Sequence, residues 1–556
     1  MRPSLQLVSA AVAFLSLCSA AAQPDTTVRQ VAIIGAGAAG SSAAYHLQDY
    51  ARRAGIYVNI TLFEKTDRIG GRSLTINPYG DPSQRVELGA SIFIQKNHIL
   101  YRALHDFGLS KKIPDEDAEA VLGIWDGDKF VFTINERASF WWNAIKVIWK
   151  YGVMAPRRTQ KLMQTTIDKF LRMYEEPFFP FRSLTERAQD LGLVEITGVT
   201  GQQLLQSNNI DGLYAHDIVQ ASTRVNYASN LGHIHGLDTM VSMAPEGAMA
   251  VQGGNWQIFH KMVEKSGAIV SLNTSVVALD RSERKHGSAT RPQYIIRTNS
   301  PESEQEGGVV YPVAFDDVVV ANPWQFSGIE AAENVMQDPI DEIPYVQLHV
   351  TIFSTPYRYD PSFFGLTKWK DVPSTVLTTL PKSDNAIKGD QEAGKAGFFS
   401  ISILRKAVNP KNGKHEYIYK IFSPRKVTPE FLSRLFGVKV PGDFVGGGYG
   451  SECVSPITWY HPHVFHSYPK ALPRVTFQDP VIGPGLYYTS GMESFISTME
   501  TNALMGKNVA RLLIDDILGM TSTDKGSTRI DGLPTDDKQK SQPTGNNDAP
   551  DAMRDL

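Results

Sequence analysis

A glycine-rich turn near the start of the chain constrains the possible fold more than any other feature of the sequence. An apolar run over residues 31–34 leads into a G-x-G-x-x-G pattern whose glycines are Gly35, Gly37 and Gly40. These glycines allow a tight turn out of a strand, a close approach to a pyrophosphate, and close packing of the following helix. Amide groups at the start of that helix, including those of Ala38 and Ala39, face the phosphates in such sites. The stretch therefore predicts a strand, a helix over residues 41–50 and a dinucleotide site.

A second strand is expected over residues 57–63 and ends at Glu64. Glu64 follows the glycines by roughly the 20 residues at which a carboxylate binds a ribose hydroxyl. A carboxylate there would repel a 2′-phosphate, so the expected dinucleotide is FAD or NAD, bound at Glu64 and the neighbouring Lys65. The alternative is that Glu64 is a surface acid at the end of a strand.

A Gly-Gly-Arg element narrows the choice of dinucleotide. Gly71 permits close approach of the backbone, and Arg72 can pair with a pyrophosphate through its fork of donors. Gly89 and Ala90 follow in a short turn before an apolar segment. Together with the glycine fingerprint and Glu64, these elements resemble the pattern of the FAD-dependent amine-oxidase-like superfamily. The resemblance implies that the cofactor is FAD.

The length and charge of the chain exclude several classes of protein. At 556 residues it is too long for one compact core, and size alone predicts about two to four structural units. The formal net charge of −3 argues against a general nucleic-acid binder. Cys18 and Cys453 are the only cysteines, which leaves no disulfide framework and no cysteine metal cluster. We therefore expect no nucleic-acid partner and no metal site.

Residues 1–22 have the pattern of a secretory signal peptide, with a basic start, a mostly apolar run and three alanines at the end. An uncleaved anchor is the alternative, because the apolar run is close to the length at which the two differ. Triplets beginning at Asn59 and Asn273 fit the N-glycosylation pattern. We expect a glycoprotein of the secretory pathway, either in a vacuole- or lysosome-like compartment or outside the cell.

The chain is expected to belong to the α/β class and to form two domains, each assembled from separate segments of the sequence. A Rossmann-like FAD-binding domain of the glutathione-reductase type is expected from residues 28–100, 241–330 and 480–516. An α+β substrate domain with a mostly antiparallel sheet is expected from residues 101–240 and 331–479. Residues 281–310 predict a hairpin with a loose loop, and residues 495–513 the last long helix. The polar residues 520–556 cannot bury enough apolar surface to order themselves and predict a disordered tail.

An aromatic-rich segment over residues 139–151 predicts a helix that is apolar around most of its circumference. One interpretation is a helix of the core. The other is the wall of an apolar substrate tunnel or an entrance that touches a membrane, which would give the protein a peripheral membrane contact.

Over residues 31–513 the sequence resembles the prenylcysteine oxidase (prenylcysteine lyase) family of flavoproteins. The more specific similarity lies outside the cofactor motifs, in residues 122–127, 141–151, 224–227, 252–255, 419–423 and 487–503. The resemblance implies oxidation of farnesylcysteine or geranylgeranylcysteine by non-covalently bound FAD and O2, in the degradation of prenylated proteins. The implied products are cysteine, an isoprenoid aldehyde and hydrogen peroxide.

Four residues of the expected substrate domain are candidates for the chemistry. Arg224 can pair with the carboxylate of such a substrate, and Tyr227 lies in the same stretch. A structural salt bridge is an equal alternative for Arg224. His461 and His463 are candidate bases for activating water, because imidazole titrates near neutral pH. The alternative for both histidines is a structural role.

The C-terminal part of the chain is expected to complete the flavin site. Glu493 and the two residues before it, Gly491 and Met492, resemble the superfamily's C-terminal flavin motif. Thr498 and Met499 would aim helix amides at the pyrimidine end of the flavin, where the helix dipole stabilises the anionic reduced ring. Val277, on a short β-like run, would lie beside the adenine.

Two other functions stay open at this point. One is an amine oxidase or an isoprenoid desaturase on the same fold, since a fold does not determine a function. The other is a secreted, non-catalytic protein that binds FAD or a lipid. The sequence gives no sign of an obligate protein partner.

Overall fold

The computed structural model describes residues 28–113, 121–135, 140–210, 212–244, 247–286, 289–303, 305–381, 393–442 and 456–520. The expected signal peptide, Cys453 and the tail beyond Met520 lie outside the described residues. Within this part of the chain, no helix combines the length and the apolar character needed to cross a membrane. The same residues hold no group of three or more side chains placed to ligate a metal ion.

The strands of the described residues are, in chain order, β1 (Arg29–Ile34), β2 (Val58–Phe63), β3 (Thr75–Ile76), β4 (Val86–Glu87), β5 (Val121–Trp125), β6 (Phe130–Asn135), β7 (Ile269–Ser271), β8 (Ser275–His286), β9 (Ala289–Asn299), β10 (Val309–Val310), β11 (Asp317–Val320), β12 (Glu330–Ala331), β13 (Tyr345–Thr355), β14 (Thr375–Thr378), β15 (Ser400–Val408), β16 (His415–Ser423), β17 (Trp459–Pro469), β18 (Val481–Gly483) and β19 (Leu486–Tyr488). The helices are α1 (Ala38–Ala54), α2 (His98–Asp106), α3 (Phe140–Tyr151), α4 (Met154–Leu171), α5 (Leu184–Asp190), α6 (Val194–Thr197), α7 (Gly201–Ser207), α8 (Gly212–Tyr214), α9 (Gln220–Tyr227), α10 (Gly236–Ser242), α11 (Trp256–Ser266), α12 (Pro429–Phe436) and α13 (Met499–Ile517).

The first sheet has the strand order β18-β19-β11-β1-β2-β7. Its central strands β19, β11, β1, β2 and β7 run parallel, and only β18 is antiparallel. Residues 31–34 of β1 are buried, as expected of a strand that is covered on both faces. The expected α/β class with a Rossmann-like sheet is confirmed. The strands of this sheet come from three separate stretches of the chain, which the rest of the molecule interrupts.

Helix α1 is longer than the predicted range of residues 41–50. It begins directly after Gly37, whose extended backbone forms the N-cap, and it ends at Gly55, whose φ of 68° closes the last turn. The added turns are rich in alanine, which has the highest helix propensity.

The last helix, α13, packs closely against the first. A Cβ on Gly506 would lie 2.1 Å from the carbonyl oxygen of Ala39, so only glycine allows this contact. The helix begins at Met499 and not at the predicted residue 495, because a 3-10 turn over residues 490–494 precedes it and Thr498 caps it. Helices α1 and α13 therefore cover one face of the first sheet together.

The second and third sheets are mostly antiparallel. A four-stranded sheet has the order β10-β9-β8-β12, and a seven-stranded sheet has the order β17-β13-β16-β15-β14-β5-β6. The hairpin predicted over residues 281–310 is more regular than expected, because β8 and β9 pair along nearly their whole length. Tyr294 and Ile296 anchor it, since both are fully buried against the first sheet.

Helix α3 is not a core helix, so that interpretation of residues 139–151 is wrong. Its Val147 and Tyr151 pack against Phe132 and the following helices. On the opposite side of the helix, Ile145, Ile148 and Trp149 are exposed to solvent, and the exposed fraction of Trp149 is 88%. Periodicity could not predict this, because an apolar residue on every face is compatible with burial and with an open apolar surface.

Candidate active site

The glycine turn leaves the start of α1 open to an anion. No side chain caps the helix, and its first turn carries no acid. Gly71 has a φ of 56°, and a Cβ on it would lie 3.0 Å from the Cα of Gly37. The two backbones thus meet where neither residue has a side chain. The uncapped amides of α1 therefore lie beside a backbone surface formed by Gly37 and Gly71, which we call the glycine cradle. Free amides next to a surface without side chains suit a phosphate group.

The carboxylate of Glu64 is held beside this turn at the end of β2. Its Oε2 accepts a hydrogen bond from the Ala36 amide at 2.9 Å. Its Oε1 accepts hydrogen bonds from the amide and the hydroxyl of Thr66, at 2.9 and 2.8 Å. Lys65, in contrast, is exposed. The start of β8 runs alongside, because the Thr274 amide donates to the Glu64 carbonyl, and Val277 lies half-buried three residues further on.

The guanidinium of Arg72 binds an acid of the chain itself. Its Nη2 and Nη1 donate to the two carboxylate oxygens of Glu493, at 2.6 and 2.9 Å. Nη1 also donates to the Ser467 carbonyl. The Tyr345 hydroxyl donates to Glu493 as well, at 3.2 Å. The expected pairing of Arg72 with a pyrophosphate is therefore not supported, because the buried carboxylate of Glu493 already satisfies its fork of donors.

A different arginine of the same loop has an unused donor. Arg68 Nη2 donates to the Gly71 carbonyl at 3.0 Å, but its buried Nη1 has no hydrogen-bond partner among the described residues. Burial also lowers the pKa of Arg68, although the nearby Glu64 and Asp67 act in the opposite direction. A half-buried cation whose buried Nη1 is an unused donor beside the glycine cradle is a better candidate for an anionic ligand than Arg72.

The remaining predicted cofactor residues gather around Arg72. The Ala90 amide donates to the Arg72 carbonyl at 3.2 Å, and a Cβ on Gly89 would lie 1.8 Å from that oxygen. The C-terminal motif residues, which are Gly491, Met492 and Glu493, are all buried. Thr498 caps α13, and the sulfur of Met499 accepts a hydrogen bond from the Ser73 hydroxyl. The structure thus brings together loops that are more than 400 residues apart.

One face of the seven-stranded sheet lies against these loops. Ile352 of β13 pairs with Lys420 of β16 on one side and with His461 of β17 on the other. These three residues form a row across the sheet, and side chains of such a row point to the same face. Phe465, on the same face of β17, comes within 3.6 Å of a Cβ placed on Gly89. The floor of the candidate site is therefore mostly apolar, and Lys420 and His461 are polar side chains set into it.

Lys420 is the cation of this floor. Its Nζ donates to the Glu87 carbonyl at 3.0 Å and to the Ser91 hydroxyl at 3.1 Å, and that hydroxyl donates to the Gly89 carbonyl at 2.9 Å. The side chain is buried, and burial lowers the pKa of Lys420 to about 8. A lysine with this pKa is partly neutral near neutral pH, so it can accept a proton.

Glu87 provides an acid next to Lys420. Its Oε1 accepts a hydrogen bond from the Asn255 amide at 2.7 Å, and its buried Oε2 has no partner among the described residues. Burial raises the pKa of Glu87 to about 7. Lys420 and Glu87 are therefore two neighbouring groups that titrate near neutral pH, which is typical of functional sites.

The two candidate histidines lie on this floor. The His461 ring lies parallel to those of Trp459 and His463, with centroids 6.0 and 6.4 Å away. Burial, aided by His463, lowers the pKa of His461 to about 4. Burial and the charge of Arg68 lower the pKa of His463 too. Both rings are therefore neutral at neutral pH, and His461 is a weaker base than Lys420.

The structure does not support a substrate-pairing role for Arg224. This side chain is fully buried, and its donors reach neutral acceptors that include Thr378 Oγ1, Asn230 Oδ1 and the Ala393 carbonyl. It ties α9 to the seven-stranded sheet. Tyr227 is also buried, and it contacts Tyr468 and hydrogen-bonds Asp238.

The sequence contains a signal for each residue that the prediction missed. Arg68 stands in the Arg-Ile-Gly-Gly-Arg run, and Glu87 stands directly before the Leu-Gly-Ala turn. Lys420 interrupts the apolar strand pattern of residues 417–422, and a lysine in a buried strand must find partners. The signal in each case was a charge in an otherwise apolar or glycine-rich context.

Known proteins share both the sequence and the fold. The family described as prenylcysteine lyase matches residues 134–525, and an NAD(P)-binding Rossmann-like domain matches residues 33–107. Farnesylcysteine lyase of Arabidopsis thaliana is 28% identical over 526 residues, which cover 90% of this chain and 92% of that protein. Prenylcysteine oxidase 1 of Homo sapiens is 26% identical over 518 residues, which cover 90% and 92%.

Two solved structures share the fold at low sequence identity. A variant of putrescine oxidase superposes with a TM-score of 0.52 at 15% identity, over 88% of this chain and 99% of the other. Cyclohexylamine oxidase from Brevibacterium oxydans superposes with a TM-score of 0.51 at 13% identity, over 88% and 100%. These likenesses concern the fold alone.

Proposed function

This chain belongs to the prenylcysteine lyase family, whose match spans residues 134–525, and from this premise we propose how its site cleaves the thioether of a prenylcysteine. The chain is an FAD-dependent oxidase, and the resemblance stated from the sequence is confirmed. The observation that carries the assignment to this site is the row Lys420–Ile352–His461, which faces the glycine-rich loops. This row places a proton acceptor, Lys420, next to an apolar side chain of the floor.

The residues around the glycine turn fit FAD. The uncapped start of α1 and the Gly37–Gly71 contact would hold the pyrophosphate, with the unused Arg68 donor beside it. Glu64 would hold the adenosine ribose. Arg72 would not contact FAD but would support the site indirectly, because it fixes Glu493 and thereby the C-terminal turn.

The overall reaction consumes O2 and water. A prenyl thioether R–CH2–S–R′ with O2 and H2O gives the aldehyde R–CHO, the thiol R′–SH and H2O2, so atoms and electrons balance. When bound, FAD supplies the acceptor for the hydride that leaves the carbon beside sulfur, and O2 regenerates it. The protein must orient that carbon and keep bulk water from the prenyl chain.

The floor residues provide both functions. Val350 and Ile352 are fully buried and keep the surroundings of Lys420 apolar. Lys420 is placed to hold a water molecule while its two hydrogen bonds to Glu87 and Ser91 keep the amine in position. The neutral amine accepts a proton as water adds to the carbon beside sulfur. The resulting hemithioacetal then breaks its C–S bond as its hydroxyl loses a proton; one of the two protons released goes to the leaving sulfur, and the other is consumed in forming H2O2.

The test measures hydrogen peroxide and free thiol from the purified holoenzyme. Farnesylcysteine should yield both in equal amounts, and putrescine and cyclohexylamine should yield no peroxide. Peroxide from the amines alone would overturn the proposal in favour of an amine oxidase. A flavin that farnesylcysteine and geranylgeranylcysteine leave oxidised without air would instead indicate a non-catalytic binding protein.

We also propose that the protein acts in the secretory pathway, in a vacuole- or lysosome-like compartment or outside the cell. The signal-like pattern of residues 1–22 supports this, as do the two glycosylation triplets, whose Asn59 and Asn273 side chains are exposed. Treatment of the native protein with an N-glycosidase should reduce its apparent mass, and Asn59→Gln with Asn273→Gln should abolish that change. A cytosolic, unglycosylated native protein would overturn the proposal.

A further inference from the structure

Helix α3 and the start of α4 carry an apolar surface that no other described element covers. The exposed large apolar side chains of this segment are Ile145, Ile148, Trp149, Val153 and Met154. We refer to these five residues as the α3–α4 surface. Exposed apolar residues scattered singly are ordinary, but five within ten residues of chain form a patch that a soluble surface rarely carries without a partner.

This surface is not needed to bury the core. The inner side of α3 already packs through Val147 and Tyr151, which join the cluster of Phe132 and Ala221. Lys150 fixes the helix further, because its Nζ donates to the buried carboxylate of Asp217 at 2.7 Å. The outer apolar residues belong to none of the apolar clusters of the described residues, and the exposure of their surface to water is unfavourable.

The charged residues of the chain segment that carries the α3–α4 surface all have the same sign. Residues 143–164 contain five basic residues and no acid, although the whole chain has a net charge of −3. Among these cations, Lys146, Arg157 and Lys161 are exposed. The combination of an exposed tryptophan, branched apolar residues and a basic surround is typical of helices that lie in the interface of a lipid bilayer.

We propose that the α3–α4 surface docks the protein on an anionic lipid bilayer, with Trp149 and its apolar neighbours in the headgroup region and Lys146, Arg157 and Lys161 on the lipid phosphates and carboxylates. Charge complementarity selects this occupant, because an uncharged apolar partner would give no role to the exposed cations Lys146, Arg157 and Lys161. The proposal is independent of which substrate the enzyme oxidises. It does define where an amphiphilic substrate would meet the protein, since the cluster behind α3 includes Ala221 of α9, and Ala228, the residue after α9, packs in the apolar cluster of the floor.

The experiment is cosedimentation of the full-length holoenzyme with vesicles. One set consists of phosphatidylcholine, and the other of phosphatidylcholine with an equal amount of phosphatidylserine. The protein should bind the anionic vesicles, and high salt should weaken the binding because it screens the charges. Equal binding to both sets, or binding to neither, would overturn the proposal.

Two variants of the α3–α4 surface, each with a matched control elsewhere on the protein, test whether this surface makes the contact with the vesicles. Arg157→Glu with Lys161→Glu should lower the partition coefficient at least about tenfold, since each cation near an anionic surface contributes about fivefold. Trp149→Ser should lower it about tenfold through lost apolar contact. The matched controls are Lys368→Glu with Lys370→Glu, and Trp369→Ser, because these residues form another exposed basic and aromatic site, at which Trp369 is 58% exposed.

The controls should bind as the parent protein does. If Trp369→Ser weakens binding as much as Trp149→Ser, the contact is not specific to the α3–α4 surface, and the proposal fails. If the Trp149 variant instead abolishes self-association or capture of a protein partner while lipid binding is unchanged, the surface is a protein interface. The flavin absorbance and melting temperature should be unchanged, because the substituted side chains are exposed.

Discussion

The two carboxylate oxygens of Glu493 are bound by the two terminal nitrogens of Arg72, at 2.6 and 2.9 Å, across 421 residues of sequence. This pair joins the loop after β2 to the turn before α13, so it holds the two ends of the cofactor domain together. Glu493 has only 2% of its side chain exposed, so its negative charge is stabilised by Arg72 and not by water.

Removing the arginine of this pair should destabilise the protein strongly. Arg72→Ala leaves a buried carboxylate without its cation, which costs about 3–5 kcal/mol. Urea unfolding of the holoenzyme measures the loss, together with the FAD retained after gel filtration. Arg52→Ala is the control, because Arg52 is largely exposed in its pair with Asp49 and should contribute less than about 1 kcal/mol. Equal effects of both substitutions would contradict a structural role of the buried pair.

Arg68 should contribute to FAD affinity through its unused buried donor. A hydrogen bond to a charged group contributes about 1.5–3 kcal/mol, so Arg68→Met should weaken FAD binding about 10- to 100-fold. Titration of the apoprotein with FAD, followed by flavin fluorescence, gives the dissociation constant. Lys65→Met serves as the control, since Lys65 is exposed in the same loop and should change the affinity little. An unchanged affinity in the Arg68 variant would remove this residue from the site.

Lys420 should control the pH dependence of turnover. Only its neutral form accepts a proton, and the neutral fraction grows as pH rises through the pKa of about 8. The kcat for farnesylcysteine should therefore rise with pH up to about 8 and then level off. Lys420→Met should lower kcat by about 10²- to 10⁴-fold and remove that rise.

Lys406→Met is the matched control for this prediction, because Lys406 lies exposed on the neighbouring strand β15. It should keep the parent pH profile. A Lys420→Met enzyme with the parent rise in kcat would show that another group titrates, and Glu87→Gln would then identify whether that group is Glu87.

Glu500 should make the protein less stable as the pH rises. It accepts hydrogen bonds from the amides of Ile99 and Leu100 and from the Tyr174 hydroxyl, yet burial raises its pKa to about 7. The folded state therefore holds the proton more tightly than the unfolded chain. The resulting stabilisation is fully present below the unfolded pKa of 4.5 and is lost as the pH rises through about 7.

Glu500→Gln should flatten this decline, which urea unfolding between pH 5 and 8 measures. Part of the slope should remain, because burial also raises the pKa of Glu87 to about 7 and that of Asp317 to about 6. The exposed Glu264 provides the control, and Glu264→Gln should leave the slope as it is. A steeper slope in the Glu500 variant would contradict the sign of the effect.

Arg224 should matter for stability and not for substrate binding. Arg224→Met leaves several buried acceptors without their donor, and each such loss costs about 1–3 kcal/mol. The KM of the folded holoenzyme for farnesylcysteine should be unchanged, and so should the ratio between the KM values for farnesylcysteine and its methyl ester. A KM that rises for the free carboxylate alone would restore the substrate-pairing role.

The sequence predicted the parts of this molecule that depend on neighbouring residues. The glycine pattern located β1, the turn and α1, and the apolar runs located most strands of the first and third sheets. The pattern could not decide between Arg68 and Arg72, because the partner of Arg72 lies 421 residues away and only the tertiary fold brings it close.

The same reason explains the other differences. Lys420 becomes a candidate base only because the sheet register sets it in a row with His461, and the burial that shifts its pKa comes from loops distant in sequence. The exposure of Trp149 depends on which side of α3 meets the core, which an evenly apolar helix does not specify. Local pattern thus predicted elements and motifs, whereas the roles of individual charges needed the assembled structure.

The contact between Gly506 and Ala39 also constrains the order of events during synthesis. The two helices are far apart in sequence, since the Ser42 hydroxyl of the first donates to the Ala503 carbonyl of the last across 461 residues. The first helix must therefore remain without this partner until the intervening residues have been translated. Contacts between such distant segments form slowly, so this end of the molecule completes its packing late in folding.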